Sequence, residues 1–140
     1  MNKLLRAASL AVLVSAMTSA EAVELTVEIT DLRTTEGALM VALIDSAAGW
    51  DDSSKAVARR KITPESKQLT LQFPDLKPGK YAVQVMHDEN SNGKLDSNFI
   101  GMPVEGYGFS NNPQVMRRPK YDEAKFELGA DDTSITVQLR

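Results

Sequence analysis

The chain of 140 residues has no cysteine, one histidine and one tryptophan, and its three tyrosines and four phenylalanines leave it poor in aromatics. Without cysteine no disulfide can hold the fold and no lipobox is possible, so stability has to come from a core or from a bound ion. A single histidine excludes two-histidine zinc sites and any relay between two histidines. Positive charge does not predominate. The net charge is −3, and the basic run Arg117-Arg118-Pro119-Lys120 reads as a solvated loop. Neither feature suits nucleic acid or an anionic membrane as partner. No stretch is apolar over the roughly 20 residues that a membrane helix requires.

What the sequence does have begins with Met1-Asn2-Lys3-Leu4-Leu5-Arg6, an apolar run from Ala7 to Met17 and small residues at Ala20 and Ala22. A basic start, a short apolar middle and small residues before a cut are the parts of a secretory signal peptide, so residues 1–22 are expected to be removed, with Ala20 as the alternative cleavage point. Loss of Lys3, Arg6 and Glu21 leaves 14 of 16 basic and 18 of 19 acidic residues, a net charge of −4. Residues 23–140 are of a size for one domain, expected to be periplasmic or secreted and monomeric.

Val23, Leu25, Val27 and Ile29 alternate with polar residues, the pattern of a strand with one wet face. Arg33 to Gly37 reads as a turn and Ala38 to Ile44, apolar on both faces, as a central strand, the two strands being expected to form a hairpin. Ser46 to Ser54 reads as a loop with at most one helical turn, and Ala56 to Ile62 fits either a strand or a short helix. Further strands are expected over Leu69 to Phe73, ended by Pro74, then Tyr81 to His87, Ala124 to Leu128 and Ser134 to Leu139. Short strands between turn signals predict an all-β, Ig-like or prealbumin-like sandwich of about seven to eight strands with one long ordered loop. Leu76-Lys77-Pro78-Gly79-Lys80-Tyr81 has the composition of a tyrosine corner, in which the hydroxyl bonds backbone a few residues upstream. Its spacing resembles the strand entry of prealbumin-like and carboxypeptidase-regulatory-like domains.

The long loop is the chemically distinctive segment. Asp88-Glu89-Asn90-Ser91-Asn92-Gly93-Lys94-Leu95-Asp96 puts side-chain oxygens at positions 1, 3, 5 and 9, a glycine at position 6 and the Lys94 carbonyl at position 7. EF-hand-type loops present oxygens to Ca²⁺ from these positions, because alternate side chains of a tightly curled segment converge on one centre. Position 12 is Phe99, where such loops carry a bidentate glutamate, and no helices flank the segment; Glu105 is the carboxylate that the rest of the loop can supply. The competing reading is an Asx-rich turn whose Asn and Asp side chains bond their own backbone. A cation would bind in the about 10⁻⁴ to 10⁻³ M range of extracellular modules.

"HDENSNGKLD", "FIGMPVEGYGFSNN", "RPKYDEAKFEL" and the closing "SITVQL" carry a resemblance to a bacterial exported family, the domain-of-unknown-function family numbered 2141. The resemblance runs from the first strand to the last. It implies a small periplasmic or secreted β-sandwich and brings no activity, substrate or catalytic residue with it.

Candidate ligand-binding residues are Trp50, His87, Tyr107, Phe109, Asn111 and Asn112. His87 shares a face with Tyr81, Val83 and Val85, where it either buttresses the loop base by hydrogen bonding or serves as base or ligand. Ser110 is the nearest serine nucleophile, yet "GFSNN" lacks the Gly-x-Ser-x-Gly elbow. Tyr107 and Phe109 either present flat rings to a sugar or peptide or tuck onto the sandwich to order the loop. Trp50, Asp51 and Asp52 are expected beside the 88–96 loop, with an aspartate as extra cation ligand. The expectation is a non-enzymatic binding or accessory module of the cell envelope with a structural Ca²⁺ loop and an envelope protein, peptide or glycan as partner. The alternatives are an envelope hydrolase or isomerase using His87 and Glu105, and a purely structural envelope protein.

Overall fold

A computed structural model describes Ser15 and residues 21–140, and the expected signal peptide, but for Ser15, Glu21 and Ala22, lies outside the described residues. The alternation that opens this segment becomes β1, Val23–Thr30, whose Val23, Leu25, Val27 and Ile29 are all buried. It is followed by β2 (Ala38–Ile44), α1 (Ala47–Asp51), a 3₁₀ turn at Ser53–Lys55, β3 (Ala58–Ile62), β4 (Leu69–Leu76), β5 (Gly79–Asp88), β6 (Tyr107–Phe109), α2 (Tyr121–Ala124), β7 (Phe126–Leu128) and β8 (Thr133–Gln138). A three-stranded sheet runs in the order β4-β1-β8 and a five-stranded sheet in the order β3-β2-β5-β6, with β7 also on β5. β6 and β7 share one flank of β5, along Gln84–Met86 and Gly79–Tyr81 respectively. The fold is all-β, as the strand pattern predicts.

Between the sheets, β1 faces Leu39, Val41 and Leu43 of β2 and Val83 and Val85 of β5, with Phe73 and Val137 filling the flanks. Each such side chain contributes about 1.5–3 kcal/mol on full burial. At one margin the two sheets join. Tyr107 and Arg140 exchange backbone hydrogen bonds of 3.1 and 3.0 Å, and a Cβ at Gly108 would lie 2.8 Å from Val137 and 2.9 Å from the Gln138 carbonyl. Only glycine lets β6 come this close to β8.

β1 and β2 do not form the expected hairpin: they belong to different sheets and meet across the core. Alternation identifies a strand with one buried face but carries nothing about its neighbour. The connection arches over the sandwich end, with Leu32 buried and Asp31 and Gly37 in the left-handed region at φ 62 and 72. Pro74 does not end β4, which runs on to Leu76. β4 is an edge strand, where a missing N–H removes no ladder bond, and the register shifts from Leu25↔Phe73 to Val23↔Leu76 through Asp75 at φ 60. Ala56 to Ile62 resolves into strand β3. Ala124 closes α2, so β7 is confined to Phe126–Leu128. The 46–54 loop holds α1, capped by Ser46, whose Oγ accepts from the Gly49 N–H at 3.1 Å.

The tyrosine corner is present. The Tyr81 hydroxyl donates to the Lys77 carbonyl at 2.6 Å, and burial, with Asp45 nearby, raises the phenol's pKa. Tyr81→Phe is expected to cost about 1 kcal/mol. Urea unfolding should show this as a lower midpoint with an unchanged slope.

Candidate functional site

β5 delivers His87 and Asp88 to one end of the five-stranded sheet, where Asp88 pairs with Ala38 of β2. The loop that follows returns at Gly106, whose carbonyl accepts from the His87 N–H at 2.8 Å. Two buried carboxylates organise it. Asp88 accepts from the backbone N–H groups of Asn92 (3.0 Å) and Gly93 (2.8 Å) on its separate oxygens. Glu105 accepts from Glu89 and Asn90 on Oε1, at 3.0 and 3.3 Å, and from Asp96 on Oε2, at 2.8 Å. It clasps both ends of the 89–96 segment, and charge-assisted bonds of this kind repay the burial of the carboxylate. Arg33 adds a second brace, donating to both Glu89 oxygens at 3.2 Å and to the Val104 carbonyl at 2.7 Å. A Cβ at Gly37 would lie 2.0 Å from the Asp88 carbonyl oxygen, so only glycine allows the 31–37 arch to press on the loop base.

The oxygens singled out by spacing do gather. Asn90 and Asn92 both donate their side-chain amides to Asp96, the latter at 2.7 and 2.9 Å, and hold its carboxyl below the usual carboxylate range. The Lys94 N–H is bonded to the Asn92 Oδ1 at 3.0 Å, and Asn90 Oδ1 accepts from Asn92 N–H at 3.2 Å. In this arrangement the loop is a self-bonded Asx turn. Among the described residues no three His, Cys, Asp or Glu side chains are close enough to hold a metal, so a cation here would draw mainly on neutral oxygens. A half-turn of the two amides would set their oxygens against Asp96 at the cost of two backbone bonds, an arrangement that needs a hard cation to hold it. Phe99, at position 12, is fully exposed and takes no part.

The other predicted residues are dispersed. β2 and β5 are antiparallel, with Ala38 opposite Asp88 and Ile44 opposite Ala82, so the segment after β2 and the segment after β5 emerge at opposite ends of the sheet. Trp50, Asp51 and Asp52 are therefore not beside the 88–96 loop, and the single composite site expected from them does not form; about 20 Å of strand separates the two ends. Trp50 is buried against Phe109 (ring centroids 5.6 Å apart) and donates to the Pro119 carbonyl at 2.9 Å. Asp52 caps the 3₁₀ turn through Ser54, and Asp51 lies 3.8 Å from Arg118. His87 is buried with Nε2 2.7 Å from the Glu36 carbonyl. A carbonyl only accepts, so Nε2 carries the proton and Nδ1, which has no hydrogen-bond partner among the described residues, faces Glu89 at 3.9 Å. Ser110 is buried on the Val83 N–H and the Ala124 carbonyl and does not meet His87. Phe109 turns inward, Asn111 staples the Glu123 and Lys125 carbonyls, and Asn112 bonds Thr136 and Gln138. Tyr107 stays half-exposed beside open space.

Apart from Tyr107 and Phe109, the candidate residues of the sequence do not point to that space. Met40, Ala42, Gln84 and Met86 form the outer face of β2 and β5, and α1 and α2 cover only the far part of it, around Ile44, Ala82 and Trp50. A cleft of about 440 Å³ opens between this face and the long loop, lined by Met86, Leu95, Met102, Tyr107 and Met116. The available signal was that Ala38 to Ile44 is apolar on both faces while no helix is long enough to cover the second.

Glu105→Gln removes one clasp oxygen and turns an N–H₂ group toward a backbone N–H. The expected cost is about 2–3 kcal/mol. Hydrogen exchange should quicken at the Glu89, Asn90 and Asp96 amides and stay slow at Val85. Because the folded Asp96 pKa is depressed, its contribution is present at neutral pH and is lost as the pH falls below the ordinary value of about 4 and through the folded one. The Asn90 and Asn92 side-chain amide signals should therefore lose their dispersion only in acid.

No curated protein and no solved structure matches the chain. Residues 27–136, from within β1 to within β8, match the profile of a family described as an uncharacterized protein conserved in bacteria, DUF2141. The match spans the buried faces of both sheets, the Glu105 clasp and the outer face alike, and the chain belongs to the DUF2141 family.

Proposed function

We propose that the protein is an exported, non-catalytic binding or accessory module of the bacterial envelope, in which the 88–96 loop, of Ca²⁺ type, braces the wall of a ligand cleft. The observation that carries this reading is the cleft of about 440 Å³ between the sheet face and residues 95–103, within the size range of small-ligand sites. A purely structural envelope protein would have its long loop packed flush. Among the described residues no helix is long and apolar enough to cross a membrane.

The acid–base alternative is the weaker one. His87 is turned into the core side of β5 with Nε2 occupied by Glu36, and the Glu105 oxygens are occupied by three backbone N–H groups. A general acid or base has to reach a substrate proton within hydrogen-bonding distance, and neither group faces the cleft.

Thermal unfolding of the purified chain in EDTA, then in millimolar Ca²⁺ or Mg²⁺, tests the cation. The midpoint is expected to rise with Ca²⁺ and not with Mg²⁺, by the few degrees that correspond to about 1.4 kcal/mol at ten times Kd. Asp96→Ala should abolish the response. An identical midpoint in all three conditions would leave residues 88–96 as a self-bonded turn and remove the cation from the reading.

A further inference from the structure

The register of the five-stranded sheet builds a graded outer surface. Lys61 of β3 lies opposite Met40, Met40 opposite Met86, and Met86 opposite Tyr107; one step along, Arg59, Ala42, Gln84 and Phe109 form a parallel row. Each row runs from a cation at the β3 edge to an aromatic ring at β6, over three strand spacings or roughly 14 Å. A second cleft, of about 360 Å³, is lined by Met40, Ala42, Arg59, Lys61, Gln84 and Met86. It shares Gln84 and Met86 with the first cleft, so the two are halves of one groove.

Charge divides this groove unevenly. The chain carries a net charge of −3, yet among the described residues no carboxylate lines either half. At the β6 end the arginines are engaged. Arg117 grips Glu123 at 2.7 and 2.9 Å and, with the Lys120 N–H, holds that carboxyl down at about 2. Arg118 donates to the Trp50 carbonyl at 2.6 Å and lies over its ring, and Arg140 bonds the Pro113 carbonyl and lies over Tyr107. At the β3 end Arg59 and Lys61 are exposed, and neither has an ion pair among the described residues. Between them the floor is methionine, a flexible side chain that moulds to an unbranched chain.

We infer that this groove binds a free long-chain carboxylate, its head group on Arg59 and Lys61 and its alkyl chain laid over Met40 and Met86 toward Tyr107 and Met102. The inference rests on reading the chain as a binding module but not on the cation. An uncharged chain would gain the apolar floor without the cations, and an acidic peptide would leave the methionines without an apolar partner.

Dansyl-labelled undecanoate titrated into the purified full chain, followed by displacement with oleate below its aggregation concentration, tests this directly. Dansyl emission should rise and shift to the blue. Oleate should displace the probe and oleyl alcohol should do so at least roughly tenfold more weakly, one decade being about 1.4 kcal/mol. Arg59→Gln combined with Lys61→Gln alters exposed residues only; it should bring oleate down to the level of the alcohol while the unfolding midpoint is kept. Met86→Asp should abolish both. Oleate that fails to bind, an alcohol that binds equally well, a double variant that binds as before, or capture only of poly-glutamate or of anionic phospholipid vesicles would each overturn the assignment. If oleyl alcohol, poly-glutamate or another of these probes binds the groove while oleate does not, the ligand class falls and the binding-module reading stands; if none binds, both fall.

Discussion

The antiparallel pairing of β2 with β5 sets almost everything else in this molecule. Its register sends Leu39, Val41, Val83, Val85 and His87 into the core and leaves Met40, Ala42, Gln84 and Met86 on the outside. A slip of one residue would exchange these two sets, burying Gln84 and exposing His87. The same pairing decides which loops meet. It sends the Trp50 helix to one end and the acidic loop to the other, so the protein has a core-like aromatic cluster and a polar loop that never touch.

The polar end illustrates how a chain without disulfides fixes a long irregular segment. Backbone N–H groups in such a loop need partners, and here carboxylates supply them: Asp88 and Glu105 together accept from five backbone donors. The acceptors are charged and buried, which makes each bond stronger than a neutral one and makes the loss of any one acceptor costly. His87 shows the limit of this economy. Its Nε2 is satisfied and its Nδ1 is not, because the strand that positions it leaves only the more distant Glu89 on that side.

Much of this was legible in the sequence because it depends on near neighbours. The alternation of Val23 to Ile29, the corner at Tyr81 and the crowding of Asx residues at 88–96 are local patterns, and the structure contains a strand, a tyrosine–backbone bond and a self-bonded loop at those places. What was not legible depends on which strand lies beside which. β1 was expected next to β2, and Trp50 next to Asp88, because both expectations assumed a pairing that only the assembled core selects. Glu105 reads in the sequence as a carboxylate of the long loop, and that its oxygens take backbone donors from both ends of that loop depends on how the loop closes. The outer face is not legible for a related reason: a strand apolar on both sides reads as doubly buried, and whether a second layer exists to cover Met40 and Met86 is a property of the whole chain.

Among the described residues β1 has no strand neighbour close to it in sequence. Its antiparallel partner β4 starts at Leu69 and its parallel partner begins near Thr133, opposite Leu25. The three-stranded sheet therefore cannot close until the last strand is present, and loop closure over so long a span is entropically slow, placing such topologies toward the ms–s end of folding times. Until then the first strand stays open to other contacts, and the protein remains a pliable thread for longer than a chain of this length built from local hairpins would.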